Sequence, residues 1–173
     1  IYPDQDKELV ITNIYEQYDV LGEMLSSLPP HIRVILSPGN HDVVRGAEPQ
    51  PAIPEKFRSR YPSSCTFVEN PALVNLQGVR FLMYHGRSFD DLIGLMPGAS
   101  YEKAHEIIPE MLKRRHLAPR YGRRTPIDAD IVDRLIIDPI PEDVAYTHLM
   151  LPTIYSVSFP FAAVFLNIIT HTD

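Results

Sequence analysis

Apolar and polar positions follow two different periods along the chain, and the switches between them outline an α/β protein. Glu8 to Ile11 is short and β-favouring. Asn13, with Glu16 three positions later, forms a capping-box-like pair that opens a helix. Ile14, Tyr18, Leu21, Leu25 and Leu28 share one face of it, Glu16, Gln17, Asp19 and Glu23 point away, and Pro29-Pro30 forbids continuation. Ile32 to Leu36 is a compact β-branched run that stops at Ser37-Pro38-Gly39, as a buried strand feeding a loop does.

Prolines 49, 51, 54 and 62 make residues 45 to 64 an extended surface loop with a helical turn near Glu55 to Arg60. Thr66 to Glu69, Ala72 to Leu76 and Val79 to Tyr84 then predict three strands, the last two joined by a Gln77-Gly78 hairpin turn. Ser88 can cap a short helix that stops at Pro97-Gly98. A second helix runs from Ser100 to Arg115, with Ala104, Ile107, Ile108, Met111 and Leu112 inward and a kink at Pro109. Ile131 to Ile137 and Val144 to Thr147 are the remaining strands.

Composition narrows the picture. With 173 residues and 45% hydrophobic content the chain can bury one ordinary core. Lys and Arg number 16 against 22 acidic residues, so a formal charge of −6 excludes a generally basic nucleic-acid coat. Six of those bases, Lys113, Arg114, Arg115, Arg120, Arg123 and Arg124, lie in one stretch without an acid, leaving 10 against 22 elsewhere. That stretch suits a DNA backbone or an acidic partner, while a solvated helix end would also favour bases. The single cysteine, Cys65, excludes an internal disulfide framework and fits a cytoplasmic location. Residues 149–170 carry no charge over 22 positions, long enough to span a bilayer. Pro152, Pro160 and polar Thr153, Ser156, Ser158 and Asn167 argue for buried strands and against stable membrane association.

Two strand ends carry the chemistry. Ser37-Pro38-Gly39-Asn40-His41-Asp42 offers a sharp backbone turn, a neutral carbonyl oxygen for a hard cation and an imidazole that exchanges protons near pH 7. Met83-Tyr84-His85-Gly86-Arg87-Ser88-Phe89-Asp90-Asp91 again delivers a histidine to a glycine turn. Loops at strand ends of α/β folds collect ligands, so His41 and His85 are expected to converge on one rim. Arg87 would sit beside a phosphate and could pair with it bidentately. Asp90 and Asp91 could orient the site or bind metal, although a helix N-terminus alone explains them. His31, His105, His116 and His171 are expected to be solvated or capping.

Gly39-Asn40-His41-Asp42 resembles the third block of the calcineurin-like metallophosphoesterases. Wider phrases are more specific: Ile1-Tyr2-Pro3, Leu9 to Thr12 with Ile14 to Tyr18, Ser37 to Asp42, Glu48 to Ala52 and Tyr84 to Asp91 are similar to the small subunit of the archaeal D-family DNA polymerase. The resemblance covers roughly residues 1 to 140 and implies a metal-dependent 3′-to-5′ exonuclease on a β-sandwich flanked by helices. It implies Asn40 and His85 as metal ligands, His41 as the group at the leaving oxygen, and a divalent metal pair, manganese first and zinc, iron or magnesium as alternatives. It also implies DNA and the large catalytic polymerase subunit as partners.

The departures shape the expectation. The family's first and second blocks, Asp-x-His and Gly-Asp-x-x-Asp, occur nowhere in the chain. The second block precedes the Ile-Tyr-Pro phrase in the family, so the chain is expected to be a piece beginning just after it. The fifth block is reduced to His148, without the preceding Gly or the second His. Residues 1–148 are therefore expected to be a partial metallophosphoesterase domain, incomplete on its N-terminal side, and 149–173 an apolar tail without family resemblance. Two neutral ligands do not offset the repulsion of two cations, so the chain by itself is expected to be inactive. A non-catalytic scaffold module binding the large subunit and DNA, and a general nucleotide phosphodiesterase, are the alternatives.

Overall fold

The computed structural model describes residues 9–120, 124–146 and 164–167. Helix α1 (Ile14–Ser26) starts where the pattern places it: the Asn13 side chain accepts the Tyr15 N–H at 2.9 Å and supplies one of the partners an open helix end lacks. Tyr18 and Leu25 are buried on the expected face, against β1 (Arg33–Leu36) and the segment around Phe57. Gln17 corrects the outward reading. It is buried, and its Nε2 donates to the Ile11 carbonyl at 2.6 Å, fastening the incoming chain to the helix. Residues 9–11 are irregular, with Val10 fully exposed, so within the described residues no strand precedes α1; no neighbouring strand offers them a ladder.

Strand β1 lies between β2 (Cys65–Phe67), parallel, and β6 (Val164–Asn167), antiparallel. A turn of 3₁₀ helix at Glu55–Phe57 is the one helical piece in the proline-rich loop between β1 and β2. Strands β3 (Ala72–Leu76) and β4 (Val79–Tyr84) form the expected hairpin. Its turn residues Gln77 and Gly78 both have positive φ, 52° and 91°, the twist that two-residue hairpins require. Strand β5 (Asp143–Tyr146) pairs parallel to β4 and completes a second three-stranded sheet, β3-β4-β5.

The larger core covers this second sheet. Leu82 and Tyr84 of β4 pack with Phe89 and Leu92 of α2 (Phe89–Ile93), Ile107 and Met111 of α3 (Ala104–Arg114), and Leu117, Leu135 and Ile137. Pro109 lies inside α3, and Arg115 closes it in a left-handed conformation (φ 57°). Helix α2 ends at Gly94, short of the expected Pro97-Gly98 stop. Ser88 does not cap it: the hydroxyl donates instead to the Leu117 carbonyl, tying α2 to the segment after α3.

Residues 131–137 are turns and loop where alternation predicts a strand. Leu135 and Ile137 are buried and Ile136 is half exposed, so the alternation is real. Only one isolated bridge, His116 to Ile136, joins the segment to a neighbour among the described residues. Burial of every second residue against α3 satisfies the side chains without a hydrogen-bonded ladder. Within 149–173, Val164–Asn167 is described and pairs along β1. No helix among the described residues is long and apolar enough to cross a membrane.

Candidate functional site

The ends of β1 and β4 meet. β1 runs buried through Leu36 into Ser37, whose hydroxyl donates to the Glu69 carbonyl at 2.9 Å, and on to Gly39. A Cβ on Gly39 would stand 2.9 Å from Cε1 of His85, closer than side-chain atoms approach, so only glycine lets the imidazole lie against this backbone. Asp42 folds the following residues back: its Oδ2 accepts the Gly39 N–H at 2.7 Å and its Oδ1 accepts the Tyr18 hydroxyl. Burial, and then the adjacent Asp42 charge, push the Tyr18 hydroxyl's pKa far up, so it stays a donor. β4 delivers His85, and Gly86 turns the chain away at φ 94°. His85 Nε2 lies 2.9 Å from Asn40 Oδ1, with half-buried His41 next along the loop.

Beneath this pair is a polar network that sequence reasoning missed. Glu48, Gln50 and Asn70 are 0%, 2% and 0% exposed. Asn70 Oδ1 accepts the His85 N–H at 2.9 Å, and its Nδ2 donates to Gln50 Oε1 at 2.7 Å and reaches Glu48 Oε1 at 3.4 Å. Gln50 Nε2 donates to the carbonyls of Gly39 (2.9 Å) and Arg45 (3.0 Å). Tyr84, fully inside, has its hydroxyl 2.7 Å from Glu48 Oε2 and 3.0 Å from Ser88 Oγ. Burial pushes the Glu48 carboxyl up to about 7, against the opposing pull of the Tyr84 and Asn70 hydrogen bonds and the Arg87 charge. Burial and the Glu48 charge also raise Tyr84 well above the usual phenol value. Glu48 and Gln50 were signalled by the Glu48-Pro49-Gln50-Pro51-Ala52 phrase and Asn70 by nothing in the sequence; a proline-rich loop otherwise reads as surface.

The other expected site residues divide. Arg87 Nη1 donates to the Gly46 carbonyl at 2.9 Å, which places its guanidinium on the loop that follows His41. Asp91 turns from the rim and accepts the Arg124 and Thr125 N–H groups at 3.1 and 2.9 Å; burial would raise its pKa, but these bonds outweigh it and hold the carboxyl low. Asp90 accepts the Tyr101 hydroxyl at 2.8 Å. Lys113 and Arg114 pair with Glu110, and Arg115 with Asp138 and the Ile137 carbonyl. Arg120 lines a separate surface pocket with Leu92, Leu95, Met96 and Arg114. Arg123 and His148 lie outside the described residues. His116 is not simply solvated. Its Nδ1 accepts the Ala118 N–H at 3.0 Å, so its Nε2 carries the proton and donates to Asp133 at 2.9 Å.

The 2.9 Å contact is itself a hydrogen bond, and once Nε2 gives up its proton the same spacing suits two adjacent ligands of one cation, because bonds of about 2.0–2.2 Å at right angles put such atoms roughly 3 Å apart. Asn40 and His85 thus fit one edge of a single cation's shell. Among the described residues no group of three or more His, Cys, Asp or Glu side chains is placed to hold a metal ion.

The family model for the B subunits of DNA polymerases alpha and epsilon matches residues 7–148. The chain is 48% identical over 143 residues to the DNA polymerase II small subunit of Methanothermobacter thermautotrophicus, covering 82% of this chain and 30% of that protein. The protein of the same name from Archaeoglobus fulgidus is 45% identical over 149 residues, covering 86% of this chain and 30% of its own length. That of Methanocaldococcus jannaschii is 48% identical over 139 residues, covering 80% and 23%. The chain spans less than a third of the length of these curated relatives.

Proposed function

Because the chain belongs to the B-subunit family of DNA polymerases alpha and epsilon, we propose that it is part of the small subunit of an archaeal D-family DNA polymerase and carries one side of a metal-dependent 3′-to-5′ exonuclease centre. Its two small sheets would be portions of the calcineurin-like metallophosphoesterase β-sandwich. The observation that supports this best is the Asn40–His85 pair. Residues 45 positions apart, in the loops that follow strands of different sheets, bring a carbonyl oxygen and an imidazole nitrogen to ligand spacing beside His41.

Each residue has a role in that reading. Asn40 and His85 hold one side of a divalent cation, and His41 gives a proton to the departing 3′ oxygen. Arg87, anchored on Gly46, orients phosphate, while Lys113, Arg114, Arg115, Arg120, Arg123 and Arg124 contribute a DNA-facing or partner-facing surface. When bound, a divalent pair, with manganese the first choice, supplies Lewis-acid polarisation of the phosphodiester. The carboxylates it needs would come from polypeptide outside this chain, and the large catalytic subunit is the proposed partner.

The full-length protein with its large subunit tests this on a 3′-mismatched primer in manganese. His41→Ala is expected to slow nucleotide removal about 100-fold or more. Asn40→Ala and His85→Ala are expected to weaken manganese binding. Wild-type rates in all three variants would sink the exonuclease reading. The second reading is a non-catalytic scaffold module that binds the large subunit and DNA. It predicts large-subunit binding with no nuclease activity in the wild-type protein.

A further inference from the structure

The amide pair Gln50–Asn70 joins the two strand-end loops through side chains to which the exonuclease reading gives no contact with DNA or metal. Residues 50 and 70 exchange both backbone hydrogen bonds, Gln50 N–H to Asn70 O at 2.7 Å and Asn70 N–H to Gln50 O at 3.0 Å. Their side chains repeat the connection at 2.7 Å. From there the links run outward in both directions. Gln50 Nε2 holds the carbonyl of Gly39, the residue before Asn40, and Asn70 Oδ1 holds the N–H of His85 itself.

Nearly every donor and acceptor of the two amides is assigned in one orientation. Gln50 uses both N–H groups, on Gly39 and Arg45, and its oxygen on Asn70. Asn70 uses its oxygen on His85 and its two N–H groups on Gln50 and, more distantly, Glu48. Both side chains are buried, so water does not substitute for a missing partner, and either amide turned over would set two donors or two acceptors face to face. A buried network satisfied in one arrangement fixes the atoms at its ends. Its ends here are the backbones that carry Asn40 and His85.

We propose that Gln50 and Asn70 are positioning residues that set the Asn40–His85 separation and so hold two donor atoms ready for one cation. This rests on the exonuclease reading for its purpose, though not for its geometry. The test uses the full-length protein and the variants Gln50→Ala, Asn70→Ala and Asn70→Asp. Leu135→Ala serves as control, since its apolar side chain is buried in the core formed with α3 and hydrogen-bonds to neither amide.

Two readouts are taken. The first is the His85 imidazole signature by nitrogen-detected NMR without metal, which reports the Nε2 contact to Asn40. The second is manganese affinity. The expected result is a changed His85 signature in all three network variants, a loss of affinity of about 10- to 100-fold, and neither change in Leu135→Ala. An unchanged His85 signature in Asn70→Ala and Gln50→Ala overturns the proposal whatever the metal does. Equal changes in Leu135→Ala also overturn it, since they would show a general loss of structure. If wild type binds no manganese the exonuclease reading fails, while the metal-free signature still decides the positioning role.

Discussion

Glu48→Gln is expected to make the folded protein relatively more stable as pH rises, and the size of the effect follows from burial. Glu48 is fully inside the fold, and its carboxyl is pushed up to about 7 from an ordinary 4.5. Below about pH 4.5 both the folded and unfolded chains hold the proton, and the group contributes no pH dependence. Between 4.5 and 7 the unfolded chain releases it while the folded chain keeps it, so the Glu48 contribution to stability falls across that window and levels off above about 7. The two values correspond to a roughly 300-fold difference in proton affinity, or about 3 kcal/mol. Glutamine has no proton to release and keeps an oxygen for the Tyr84 hydroxyl. Any fixed cost of the replacement is the same at every pH, and the other titrating groups are common to both proteins. The difference in unfolding free energy, variant minus wild type, should therefore rise by about 3 kcal/mol between pH 4.5 and 8. Urea unfolding followed by far-UV circular dichroism measures it; the chain has no tryptophan to serve as a fluorescence probe. A difference that stays flat, or falls with pH, would refute the assignment of a buried, proton-retaining carboxyl.

Three further outcomes follow from particular contacts. Gly39→Ala sets a methyl 2.9 Å from the His85 ring, so it should displace the imidazole and cost about 1–3 kcal/mol; the His85 NMR signature and urea unfolding read the two effects. Leu135→Ala should cost about 2–5 kcal/mol and Ile136→Ala less than about 0.5 kcal/mol by thermal or urea unfolding, because one is buried and the other half exposed. Asn13→Ala removes the α1 cap and should cost about 1 kcal/mol, whereas Asn13→Ser should recover most of it.

What the sequence determined by itself was set by local rules. Asn13 and Pro29-Pro30 bound a helix because a cap and a missing N–H act within one turn, and Gln77-Gly78 makes the hairpin because two residues must take positive φ there. The two strand ends that carry Asn40, His41 and His85 were legible for the same reason, each being visible in a short run of residues. The tertiary structure decided everything that depends on a partner far along the chain. Residues 131–137 alternate as a strand does, yet among the described residues they make one isolated bridge and no ladder, and they lie as loop over α3. Gln17 reads as an outward polar residue until the Ile11 carbonyl gives it an inward partner. Glu48, Gln50 and Asn70 are three polar residues in loops, a pattern that locally means solvent. Only the fold, by bringing the segments after β1 and before β3 together under His85, turns them into a buried network, since burial and hydrogen-bond satisfaction are properties of packed neighbours.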